Sequence, residues 1–140
     1  MKPITIEYRV PYADTDKMGV VYYGNYLTLF ERARNELMRS CGFTYAECEA
    51  EGIMLPVVHA EVDYRAPAHY DDVLELTSWV KELRGVRIEI ACEVRRKVRC
   101  AGLRDGELLA SGWTVHACVD AKSRRPARLP EWLKEKVVPD

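Results

Sequence analysis

Asp14 and Asp16 stand one residue apart in the stretch VPYADTDKMGVVYYGNYLTLFERAR, Val10 to Arg34, just ahead of a run with helical spacing. If residues 13–17 are extended, side chains two apart share a face, and close like charges then raise the proton affinity of one carboxyl group. A metal-binding D-x-D pair would want a third carboxylate or histidine at ligand spacing; none stands there, and Asp71-Asp72 falls in an expected surface turn. A phosphatase-type nucleophile would want a hydrophobic strand leading into the motif and a later Gly-Asp, which the chain lacks. Alternatively, both aspartates cap turns and accept backbone N–H bonds. The neighbouring helix start opens a different chemistry. Its free N–H groups, around Tyr22 to Asn25, carry a partial positive charge of about +0.5 and form an anion site. A carboxylate beside such donors is what acyl transfer requires: it attacks a carbonyl or deprotonates water while the amides hold the developing oxyanion. Gly19 and Gly24 would let backbone and substrate approach closely. No Ser-His or Cys-His arrangement accompanies the pair, which fits an electrophile as reactive as a thioester.

The elements that must position these groups follow from periodicity. Ile4, Ile6, Tyr8 and Val10 alternate with Thr5, Glu7 and Arg9, predicting a strand that runs straight into the aspartates. From Tyr26 the period becomes helical, through Phe30, Ala33, Leu37 and Cys41, with Asn25 as N-cap and Gly42 as the left-handed stop. Thr44 and Glu47 read as a capping box opening a short helix that Gly52 closes. Alternation returns over Val57 to Ala66, Asp72 to Leu83, Val86 to Val98 and Glu107 to Asp120, predicting four further strands. The breaks at Pro67, Arg84-Gly85 and Asp105-Gly106 are turn-like, so these strands are antiparallel neighbours. Pro130 starts a short tail helix with Trp132, Leu133 and Val137 on one side.

With 140 residues, 48% of them hydrophobic, the chain is expected to form one domain over residues 1–140. Its 21 Lys and Arg against 22 Asp and Glu give no bulk attraction to nucleic acid or anionic membrane. The start lacks an apolar leader and no run of eighteen apolar residues occurs, so a cytoplasmic protein without an integral membrane segment is expected. Five cysteines with no C-x-x-C pair suggest buried, reduced thiols. One long helix and five strands make an α+β domain in which the helix covers the apolar face of the sheet. A long central helix wrapped by a five-stranded antiparallel sheet is the hotdog fold. Uncovered edges then favour dimerisation, sheet to sheet.

The block YADTDKMGVVYYGNYLTLFERAR closely resembles the signature of the hydroxybenzoyl-CoA thioesterase branch of the hotdog superfamily, above all its YbgC-like members. Similarity continues in VDYRAPAHYDDVLEL, LRGVRIEI and VDAKSRRPARLP, over nearly the whole chain. The resemblance implies an acyl-CoA thioesterase acting on short-chain or aromatic acyl groups, a homodimer or tetramer (dimer of dimers) with sites between subunits, and no metal or organic cofactor. It implies Asp16 as the catalytic carboxylate, the Tyr23 backbone amide as oxyanion donor, and Asp14 in support. Gly19, Val20, Tyr22, Gly24, Asn25 and Tyr26 are then expected around the substrate. Many YbgC-like proteins have histidine where this chain has Tyr23, and only a backbone role survives that change. Another hotdog branch uses a carboxylate on the central helix; here Glu31 is expected to pair with Arg34 or with backbone.

CoA carries phosphates, so cations should gather at the pocket mouth. Arg84 and Arg87 flank one turn, and Lys122, Arg124, Arg125 and Arg128 crowd another; by the resemblance, both stretches are candidates for CoA, whereas Arg95 to Arg99 reads as a solvated strand face. His59, His69 and His116 form no metal pattern and are expected to hydrogen-bond, with His69 near a neighbouring subunit's site. A dehydratase would want a histidine in the motif or helix, and there is none. The rival of another class is a module that binds acyl-CoA without turning it over.

Overall fold

Strand periodicity survives into three dimensions most clearly in the centre of the sheet. The computed structural model describes residues 2–97 and 106–137. Its strands are β1 (Ile4–Arg9), β2 (Ile53–Met54), β3 (Val57–Tyr64), β4 (Val73–Arg84), β5 (Arg87–Arg96), β6 (Leu108–Ala117) and β7 (Val119–Asp120). Its helices are α1 (Asn25–Ser40), α2 (Tyr45–Ala50) and α3 (Glu131–Lys136). Five strands form one antiparallel sheet in the order β1-β4-β5-β6-β3, and β2 pairs with β7 in a separate ladder. Along β4, Leu74, Leu76, Ser78 and Val80 turn inward, opposite Val94, Cys92 and Ile90 of β5.

Helix α1 lies on this face, burying Tyr26, Leu29, Phe30, Ala33, Leu37 and Met38 at three- and four-residue spacing. This is the hotdog arrangement expected from the sequence. The core has two halves. Around the first half of α1 gather Val10, Val21, Leu74, Leu76, Val94 and Leu109; around the second, Phe43, Val80, Ile88, Ile90, Cys118 and Leu133. Between them runs a buried polar seam of Arg34, Ser78, Thr114 and His116. Arg34 donates from Nε to the Tyr45 hydroxyl at 2.8 Å and lies 3.4 Å from Thr114 Oγ1, while Ser78 donates to the Ala91 carbonyl at 2.9 Å. Among the described residues no buried side-chain polar atom is left without a partner, as a close-packed core demands.

His116 is held neutral in that seam. Its Nδ1 donates to the Leu55 carbonyl and its Nε2 accepts from Thr114, each at 2.9 Å. Burial first, and the Arg34 charge after it, outweigh the hydrogen bond to Leu55 and push its pKa down to about 4. The unfolded chain binds this proton near the ordinary value of about 6.5, so the stability from neutral burial is complete above that pH and is lost as pH falls toward 4. Lowering the pH from 7 to 5 should cost about 2 kcal/mol in urea unfolding. His116→Gln should flatten that dependence; an equally steep fall in the variant would place its origin elsewhere.

Several boundaries differ from the sequence reading. Residues 107–120 are not one strand: β6 ends at Ala117, and the chain turns at Cys118 so that β7 leaves the main sheet to pair with β2. Edge strand β3 alternates in sequence but is exposed on every residue except Val62, which packs against the core. Thr44 caps α2, accepting from the Glu47 N–H at 3.2 Å, and Gly42 and Gly52 adopt positive φ as expected. Leu133 and Val137 are buried, and Trp132 stands edge-on to Phe43. Cys48, Cys92 and Cys118 are buried free thiols, and Cys41 is half-buried. Cys100, Arg99, Val98 and the Asp105 half of the expected turn lie outside the described residues.

Candidate active site

The segment carrying Asp14 and Asp16 is not extended. Tyr12–Asp14 forms a single 3-10 turn, and the chain then folds back on itself, Thr15 pairing with Val21. The two carboxylates consequently take different hydrogen-bond partners. Asp14 accepts a short hydrogen bond from the Tyr8 hydroxyl, whose pKa is pushed up to about 12 by burial and then by that carboxylate. Asp16, half-buried, heads a tight loop: its N–H donates to the Val20 carbonyl, its carbonyl accepts from Gly19, and its Oδ1 accepts from the Met18 N–H, each at 2.9 Å. Gly19 takes the left-handed position of that loop at φ +79°, with open space where a side chain would be. Its role is therefore conformational, rather than to admit a close neighbour.

The loop is tied to the start of α1 through the main chain of Asp14. Its carbonyl accepts from the Tyr22 N–H at 2.9 Å and from Asn25 Nδ2 at 3.0 Å. Asn25 is thus the first helical residue and an anchor for the loop; the capping position falls to Gly24, with helical φ and ψ and no side-chain cap. Two short turns, Asn25 N–H to Tyr22 carbonyl at 2.9 Å and Tyr26 N–H to Tyr23 carbonyl at 3.3 Å, extend the helix backward. The amides of Tyr23 and Gly24 are left as its outermost donors, and neither has an acceptor among the described residues.

Beside these donors opens a cavity of about 320 Å³ walled by Val20, Val21, Tyr23, Tyr26, Tyr64, Arg65, Ala66 and Pro67. Of the residues singled out in sequence, Val20, Tyr23 and Tyr26 reach it; Asp14, Asp16, Gly19, Tyr22, Gly24 and Asn25 do not line it. Tyr26 is buried, as core packing of an aromatic at a helix start predicts, whereas Tyr23 is 63% exposed. Tyr22 stacks on Tyr23 with ring centroids 4.7 Å apart. The Tyr22 phenol is raised chiefly by its hydrogen bond to Tyr23, with a smaller push from the Asp16 charge.

The far wall comes from the end of β3 and the segment after it, which sequence reasoning matched only as part of a resembling block. Tyr64 stands edge-on to Tyr26 at 5.2 Å and to Tyr23 at 6.4 Å, and its hydroxyl donates to the Tyr23 carbonyl at 2.9 Å. The following segment is clamped by Arg96, whose guanidinium reaches Asp72 at 3.2 Å, Glu107 at 3.0 Å and the Pro67 carbonyl at 2.6 Å. It meets the Asp16 loop through Val21 N–H to Ala68 carbonyl, at 2.8 Å, and a Val20–His69 bridge. His69 therefore adjoins the site of its own chain. An outward tyrosine at a strand end carries no local sign of this role, which exists only once β3 meets α1.

The candidate CoA arginines lie elsewhere. Arg84 and Arg87 border a hollow of about 110 Å³ with Glu82 and Glu89, and Arg84 pairs with Glu82 at 2.8 Å. Arg124 lines a larger cavity, about 390 Å³, with Tyr45, Cys48, Glu49, Met54, Leu55, Pro56 and Val119; Arg125 is exposed beside it in sequence. The Asp16 loop adjoins the Val73 end of β4, since Val10 donates to the Asp72 carbonyl, whereas Arg84 ends the same strand. Twelve residues of strand separate those ends by roughly 35 Å. Within one chain the arginines do not join the carboxylate. Size alone does not make the larger cavity the active site, because the free α1 amides lie at the other end. Glu31, its side chain 62% exposed, lies 3.9 Å from Arg34, the pairing expected of it.

On this hotdog frame a half-exposed carboxylate, helix-start amides without acceptors among the described residues and an aromatic cavity stand close along one stretch of chain, an arrangement able to hold an oxyanion. The sequence profile of the Thioesterase-like superfamily matches residues 10–137, and the chain belongs to that family. It is 34% identical over 123 residues to the acyl-CoA thioester hydrolase YbgC of Escherichia coli, covering 88% of this chain and 87% of that one. It is 35% identical over 128 residues to the acyl-CoA thioesterase YbgC of Haemophilus influenzae, covering 90% and 88%. Among solved structures, the DHNA-CoA thioesterase of Staphylococcus aureus superposes with a TM-score of 0.84 at 32% identity, over 96% of this chain and 86% of that one.

Proposed function

We propose that this protein hydrolyses the thioester of a short-chain or aromatic acyl-CoA. The observation that carries the reading is the pair of amides, Tyr23 and Gly24, without an acceptor among the described residues, which open α1 on the same hydrogen-bonded loop that presents Asp16. The thioester oxygen rests on these amides, which stabilise the charge it gains as the carbonyl becomes tetrahedral. Asp16 attacks the carbonyl carbon itself, forming a mixed anhydride that water then cleaves to the free acid, or takes the proton of a water that attacks the carbonyl directly. CoA leaves as the thiolate. Tyr22 and Asn25 shape the approach, and Tyr26 and Val20 border the acyl group. Names of relatives that act on acyl-CoA and on DHNA-CoA support the substrate class.

The working unit is a homodimer or a dimer of dimers. Edge strand β3, with Val57 at 48% and Val58 at 51% exposure, favours a second copy over solvent. A second copy is also what Arg84, Arg87, Arg124 and Arg125 need to serve a CoA bound at Asp16, given their distance within one chain. No described helix is long and apolar enough to cross a membrane, and the buried thiols of Cys48, Cys92 and Cys118 suit a cytoplasmic setting. Purified protein given acetyl-, hexanoyl-, benzoyl- and hydroxybenzoyl-CoA should release free thiol from at least one. Saturable binding without thiol release would instead make the protein an acyl-CoA sensor.

A further inference from the structure

The Tyr23–Gly24 peptide is held from outside its own helix. A trans peptide directs its N–H opposite to its C=O, so whatever fixes the Tyr23 carbonyl also fixes the Gly24 amide. Among the described residues two donors reach that carbonyl: the Tyr26 N–H at 3.3 Å, at the long end for such a bond, and the Tyr64 hydroxyl at 2.9 Å. The preceding peptide, which carries the Tyr23 N–H, is held separately, by Asn25 N–H on the Tyr22 carbonyl.

Glycine at position 24 makes the second peptide the weaker of the two. Without a Cβ, its φ is unrestricted, and the Tyr23–Gly24 plane can rotate with little steric resistance. A rotated plane would turn the carbonyl oxygen toward the space the N–H serves, replacing attraction for an oxyanion with repulsion. A Cβ at this position would meet Tyr22 Cε2 at 2.9 Å, so the exposed Tyr22 ring would have to swing aside.

We propose that Tyr64 is a positioning residue, whose hydroxyl latches the Tyr23–Gly24 peptide so that the Gly24 N–H stands as the second oxyanion donor. This rests on the thioesterase reading and adds to it what holds the second of the two amides in place. The ring of Tyr64 is separately supported by its edge-on contacts with Tyr26 and Tyr23, so the latch is the hydroxyl alone. The phenol is protonated at neutral pH, as any tyrosine is, and burial raises its pKa further.

Tyr64→Phe removes the hydroxyl and keeps the ring. Because the donor matters most when charge has developed, kcat should fall about tenfold, equivalent to about 1.4 kcal/mol, while KM stays within about twofold. Thermal unfolding should move by no more than about 2 °C. In protein labelled with ¹⁵N-glycine, the Gly24 amide signal should shift or broaden in the variant while the other glycines hold still. An unchanged Gly24 signal, or a raised KM with unchanged kcat, overturns the latch. If Gly24 responds but native protein releases no thiol from any acyl-CoA, the thioesterase reading fails and takes the catalytic half of the proposal with it.

Discussion

Asp16→Asn should lower the rate of thiol release by roughly 10²–10⁴, the usual contribution of a positioned acid-base or nucleophilic group. The substitution is nearly isosteric, and its amide oxygen can still accept from the Met18 N–H that closes the loop. Loop shape, helix start and cavity are retained, so KM should change by less than about threefold. What is lost is the negative charge and the basic lone pair: an amide neither attacks a thioester nor takes a proton from water. Asp14→Asn should cost much less, because that side chain faces Tyr8 and acts on the loop from behind. Glu31→Gln should leave turnover near native, since Glu31 is largely exposed and its ion pair is with Arg34, away from the Asp16 loop. Loss of activity in Glu31→Gln with retention in Asp16→Asn would move the catalytic carboxylate to the central helix.

The largest effect on stability is expected at Gly112. This residue lies on β6 opposite Val62 of β3, and a Cβ there would overlap the Glu61 carbonyl oxygen and stand 3.0 Å from Phe30 Cε2. A side-chain neighbour could swing aside, but Glu61 offers backbone, and Phe30 is packed in the core against α1. Gly112→Ala must therefore push β3 off the sheet or rotate Phe30. The cost should reach the upper end of overpacking, roughly 3 kcal/mol. For a domain of this size, that lowers the thermal midpoint by roughly 10 °C. The remaining folded protein should also turn over more slowly, because β3 carries Tyr64. An unchanged midpoint would mean that β3 yields freely.

Elements that bury a single face were legible in the sequence for a physical reason. Inward residues of β4 and the apolar stripe of α1 repeat at the periods set by backbone geometry, and burial acts on every repeat. Alternation along β3 was legible too, yet burial was not, since period alone cannot say whether anything covers a strand. The end of β6 was hidden because Ala117, Cys118 and Val119 continue the apolar pattern while the chain changes ladders. At the site, Asp16 and the helix start are neighbours along the chain, so their chemistry could be read locally. Asn25 misled: an asparagine at a helix start caps well, but the Asp14 carbonyl competes for its side chain. Tyr64 and the Arg96 clamp depend on contacts between residues 41 and 29 positions apart, which no local pattern encodes. The distance between Asp16 and the arginine turns was equally invisible, because strand order decides which loops share an end of the sheet.

The central claim is that one carbonyl meets both the Asp16 side chain and the amides that open α1. A crystal structure of Asp16→Asn with an acyl-CoA analogue, a ketone in which methylene replaces the thioester sulfur, tests it most directly. The analogue's carbonyl oxygen should lie about 3 Å from the Tyr23 nitrogen, with the residue 16 side chain facing the carbonyl carbon. An analogue seated with its carbonyl away from those amides, for instance in the cavity beside Cys48 and Arg124, would contradict the account.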